Sequence, residues 1–124
     1  MKKLLYREET IPLPHYHYRV YVVLTDNIYE ATCKIKKVEN IKERSFYENA
    51  AALSLHMPDK GATYLLFTAK SDIGDVAHEC WHAVRYLLCD HIDSDLENEN
   101  VAYHLGYLVL HTWDVLKHLR KKKR

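Results

Sequence analysis

Two apolar runs, AAALSLHM at residues 50–57 and ATYLLFTA at residues 62–69, flank the tetrapeptide Pro58-Asp59-Lys60-Gly61. Proline presets the backbone for the second position of a turn and glycine tolerates the left-handed conformation that closes one, so this is the chemistry of a tight reversal. The two runs are expected to fold back on each other as an antiparallel hairpin, which commits the middle of the chain to sheet. A sheet must bury an apolar face against another layer. The flanking segments supply candidates for that layer.

Upstream, HYHYRVYVV at residues 15–23 alternates His15, His17, Arg19 and Tyr21 against Tyr16, Tyr18, Val20 and Val22, the period of a strand with one face in the core. Residues 1–10 read as an N-terminal extension. Thr25 and Asp26 are N-cap candidates for a short helix over residues 27–37, in which Ile28, Ala31, Thr32 and Ile35 recur at helical spacing. Downstream of the hairpin, Ser71 or Asp72 can cap a helix whose apolar stripe is Val76, Cys80, Ala83, Val84 and Leu87. A polar, turn-like stretch, CDHIDSDLENEN, then precedes a long final helix marked by Val101, Leu105, Leu108, Thr112, Val115 and Leu119, with a basic tail at residues 120–124. No repeat or linker divides residues 1–124, so one domain is expected. The order strand, helix, hairpin, helix, helix is an α+β arrangement: a small antiparallel or mixed sheet with a short N-terminal helix, packed against two later helices.

Composition narrows the function classes. A formal charge of +1 with 28% charged residues offers no bulk attraction to nucleic acid, and the terminal RKKKR reads as a solvated helix end. The lysines of Met1–Leu5 lead into Arg7, Glu8 and Glu9 rather than an apolar run, so neither a secretory signal nor a membrane partner is read and a cytoplasmic location is expected. Cys33, Cys80 and Cys89 form no C-x-x-C pair and read as reduced, structural residues.

The chemistry lies in DVAHECWHAV, residues 75–84. Residues four apart stand one above the other on a helix, so His78 and His82 can direct ring nitrogens at one ion about 2.0–2.1 Å from each. Glu79, about 100° around the helix, can then reach a water beside the ion as general base without being a ligand. Nine histidines and nine glutamates in random order would produce His-Glu-x-x-His with a probability of roughly 5%, so context must carry part of the weight. A catalytic zinc needs a third protein ligand and one open position. Glu97 and Glu99 are candidates. Relative to an apolar stripe through Leu105 and Leu116, Glu99 shares a flank with Ala102, Gly106 and Trp113, whose small members would permit close helix approach; Glu97 shares the other with His104 and His111.

His78-Glu79-Cys80-Trp81-His82 followed by Asn98-Glu99-Asn100-Val101-Ala102-Tyr103 resembles the HExxH and downstream N-E-x-x-A pattern of gluzincin zinc metallopeptidases, especially minimal gluzincin-like domains and short HExxH proteins of bacteriophages. The shared segment continues through Gly106 and Tyr107. This resemblance implies a zincin-like fold and a Zn2+ cofactor held by His78, His82 and Glu99. Glu79 would be the base that activates water for attack on a peptide bond. Tyr103 and His91 are the implied candidates for steadying an oxyanion. The resemblance also implies that Ala62–Ala69 is an edge strand along which a substrate would lie, at Tyr64, Leu65, Leu66 and Phe67. The partner is then a peptide or protein substrate. The alternative is an accessory protein of a phage or mobile element that keeps the zinc-site fold to bind a host protein without hydrolysis.

Overall fold

The computed structural model describes residues 3–13, 17–91 and 98–122, the side chains of 89–91 and 98–100 excepted. Its strands are β1 (Tyr6–Ile11), β2 (Arg19–Thr25), β3 (Ala52–Met57) and β4 (Ala62–Phe67). Its α-helices are α1 (Ile28–Lys36), α2 (Arg44–Glu48), α3 (Ile73–Arg85) and α4 (Asn98–Lys121). The architecture is α+β: a four-stranded mixed sheet in the order β1-β2-β4-β3 with helices on both faces.

The hairpin forms as its turn chemistry requires. Pro58–Lys60 make one 3-10 turn, Gly61 closes it at φ 59°, and Leu55 pairs with Tyr64 across antiparallel β3 and β4. β4 then lies between β3 and β2, parallel to β2, and all six of its residues are buried. A strand covered on both faces needs no polar alternation, which is why ATYLLF reads as a continuous apolar run.

The two faces of the sheet serve two cores. Val20, Val22, Leu24, Leu65 and Phe67 pack against Val76, Cys80, Ala83, Val84 and Leu88 and against Leu108, Leu116 and Leu119 of α4. Val23 and Leu66 point the other way, onto Ile28, Ala31 and Ile35 of α1. The expectation that β2 has one core face is therefore corrected: α1 covers the second. The N-terminal extension is corrected as well. Residues 6–11 form β1, an antiparallel edge strand whose Arg7, Glu8 and Glu9 discourage further edge pairing.

Capping sets where the helices begin. Asn27, rather than Thr25 or Asp26, caps α1 by accepting from the Glu30 amide, while Asp26 accepts from the Leu5 amide. Asp72 and Asp75 form a reciprocal capping box at the start of α3, each carboxylate accepting from the other's backbone N–H at 2.9 and 3.0 Å. Asp72→Ala is expected to cost about 1 kcal/mol. The melting temperature should fall by about 3–5 °C in a thermal melt; an unchanged midpoint would mean that α3 is held by its core stripe alone.

α3 and α4 lie on the same face of the sheet, joined where the Cys80 thiol meets the Thr112 hydroxyl at 3.5 Å. Burial pushes the Cys80 thiol up to about 11. Cys33 and Cys80 are both buried and unbridged. At the far end Arg120 of α4 donates to the carbonyls of Thr68 and Ser71, tying the last turns of the chain to the loop that launches α3. Among the described residues no helix is long and apolar enough to cross a membrane.

Candidate metal centre

The stripe of α3 fixes where its polar side chains go. With Val76, Cys80, Ala83 and Val84 in the core, His78 and His82 stand on the outward face, exposed. Glu79 lies on the flank toward β3 and is 7% exposed. The three side chains can offer ligand atoms that all lie within 4.8 Å of one another.

The two imidazoles approach through their Nε2 atoms, 3.2 Å apart, with ring planes 77° to each other. Two nitrogens bound tetrahedrally at about 2.0–2.1 Å from one zinc are held about 3.3 Å apart, so the separation of the pair matches that of two ligands on one ion. The same approach would also serve an Nε2–H···Nε2 hydrogen bond, since an imidazole can donate from one nitrogen and accept at the other.

The site opens into a groove of about 640 Å3. His78, Glu79 and His82 form one wall, while Ser54 and His56 of β3 contribute polar groups to its floor. Phe46 of α2 with Ala50, Ala52 and Leu53 adds apolar surface to the lining, and Ser45 and Asn49 add further polar groups. Phe46 is 59% exposed there.

Both polar residues of β3 are anchored. The Ser54 hydroxyl lies 2.8 Å from Glu79 Oε1 and 3.0 Å from the Glu79 main-chain carbonyl. His56 places Nδ1 3.0 Å from the Thr63 hydroxyl and stacks its ring on Tyr86, with centroids 4.1 Å apart and planes 8° from parallel. The Tyr18 hydroxyl meets the same Thr63 oxygen at 2.5 Å, and burial pushes its phenol up to about 12. These residues escape a search for motifs, but a signal exists. In ALSLHM, Leu53, Leu55 and Met57 belong to the α1 core, and the alternate positions Ser54 and His56 put polar groups on a half-buried helix-facing side.

Other expected site residues stand elsewhere. Tyr64–Phe67 belong to β4, whose backbone is paired on both sides, so this strand has no edge for a substrate to join; among the described residues, the edge strand beside the site is β3. Tyr103 projects from α4 with 74% exposure and does not line the groove. The close helix approach expected at Ala102 and Gly106 is absent: both are exposed, and a Cβ at Gly106 would meet nothing within 4 Å. α4 packs instead through Leu108, Thr112 and Leu116, because that stripe has much more apolar surface to bury. Glu99 falls in the first turn of α4, but its side chain, like that of His91, lies outside the described residues, as does Glu97 entirely.

No protein family matches the chain, and no curated protein or solved structure matches it either.

Proposed function

We propose that the groove is a zinc centre of the metallopeptidase type, with His78 and His82 as ligands and Glu79 as general base. The observation that supports this best is the 3.2 Å Nε2 to Nε2 approach beside a sequestered carboxylate. Glu99 is the proposed third ligand, on the pattern N-E-x-x-A alone. When bound, zinc lowers the pKa of a coordinated water toward neutrality and polarises a carbonyl oxygen.

The chain's own residues would do the rest. His78 and His82, one turn apart on a helix locked by its core stripe, fix the position of the ion. Glu79 accepts a proton from the attacking water and delivers it to the leaving amine. Phe46 and Ala50 would offer apolar surface to an apolar part of the substrate, beside the polar Ser45 and Asn49. An extended peptide would lie along β3, the terminal strand of the sheet among the described residues.

The test is metal analysis of protein purified without a histidine tag. About one zinc per chain is expected, removable by chelator and restored by added zinc; protein that stays metal-free in excess zinc would end this reading and leave the histidine pair as a hydrogen bond.

The exposed Phe46 at the groove rim favours a second reading, in which the same zinc centre docks an apolar segment of a protein partner without cleaving it. Metal content does not separate the two readings, but turnover does.

A further inference from the structure

We infer that Ser54 is the positioning residue of the general base, holding Glu79 through one hydroxyl that reaches both its carboxylate and its backbone. The inference rests on the zinc-centre reading and follows from the two contacts of Ser54 Oγ: 2.8 Å to Glu79 Oε1 and 3.0 Å to the Glu79 carbonyl oxygen. These span from an edge strand to a helix 25 residues later, so they are tertiary contacts, not local turn chemistry.

A serine hydroxyl has one proton and two lone pairs. Facing two acceptors, it donates to the charged one, because a hydrogen bond to a carboxylate is roughly twice as strong as one to a neutral carbonyl. This fixes the orientation of a side chain that otherwise has three rotatable bonds. When Glu79 takes a proton from water, an O–H bond of the water breaks and one forms on the carboxylate. The proton settles on the other carboxylate oxygen, while Ser54 goes on donating to Oε1, now the carbonyl oxygen of a carboxylic acid. The Ser54 O–H bond stays intact, and no heavy atom has to move. Alanine at this position supplies neither donor nor acceptor, and a buried carboxylate with its partner removed is costly to keep in place.

The test uses full-length protein loaded with cobalt, whose visible spectrum reports its ligands, and two probes. Acetohydroxamic acid chelates the metal as its anion and hands a proton to the base; azide binds the metal without one. Ser54→Ala is expected to weaken acetohydroxamic acid about tenfold, the cost of ordering a carboxylate that the hydroxyl no longer holds in place and larger than any easing of its protonation. Azide affinity and the cobalt spectrum should be unchanged. Ser54→Thr and Ser54→Val form a matched pair, nearly equal in shape and both suited to a strand, that differ by the hydroxyl. Threonine should restore tight acetohydroxamic acid binding and valine should not, which keeps the comparison decisive even if alanine disturbs folding. Equal affinity in the threonine and valine variants would overturn the role of Ser54. Wild-type protein that takes up no cobalt would overturn the zinc-centre reading itself, and this inference with it.

Discussion

His82→Ala is expected to strip the protein of its metal, from about one zinc per chain to background, with an affinity loss greater than about 100-fold. Changing a residue that merely supports a ligand already costs 10- to 100-fold, and removing one of the two nitrogens that define the site costs more. Far-ultraviolet circular dichroism should be unchanged, since His82 is exposed and does not belong to the core stripe of α3. His78→Ala should behave alike, because the two rings contribute symmetrically through Nε2. Zinc retained at one equivalent in both variants would remove this site from consideration. The same assay ranks the third ligand: Glu99→Ala should lose more zinc affinity than Glu97→Ala, and the reverse order would reject the gluzincin-like pattern as a guide to this chain.

Glu79→Gln should do the opposite, keeping the metal while turnover falls by about 10²–10⁴-fold, the usual contribution of a positioned base. The amide has nearly the same shape and its oxygen still accepts from Ser54, so the fold and the groove should survive the change. What it lacks is a site that takes up a proton at neutral pH. The measurement is a broad peptide-library digest by wild type, Glu79→Gln and chelator-treated protein. Cleavage that persists in the variant would assign the base elsewhere. A zinc-loaded wild type that cleaves nothing across the library would favour the docking reading, with Phe46 as the place to look for a partner.

The parts of the fold that are legible in the sequence are those with strong local instructions. The turn at Pro58–Gly61, the stripe of α3 and that of α4 each state their own periodicity, and the structure follows them. β1 is illegible because YREETI carries three consecutive charged residues, Arg7, Glu8 and Glu9, which suit an edge strand but resemble a solvated arm. The second covered face of β2 is hidden too, since only the docking of α1 turns Val23 inward. At the site, His78, Glu79 and His82 can be read because one helix turn brings them together. Ser54 and His56 show only as polar positions on the helix-facing side of ALSLHM; their meeting with α3 and Tyr86 depends on how β3 lies against the helix layer, which no spacing along the chain encodes.

The outward placement of the histidine pair has a further consequence, for how such a chain could change over generations. Its core stripe, capping box and sheet register involve neither His78 nor His82. A small zinc finger, by contrast, is unfolded until its ion arrives. On the zinc-centre reading, scaffold and chemistry can be inherited and altered separately: a lineage could lose, exchange or regain an ion by substitutions at two exposed positions that lie outside the core stripe. Drift in activity need not be accompanied by drift in architecture.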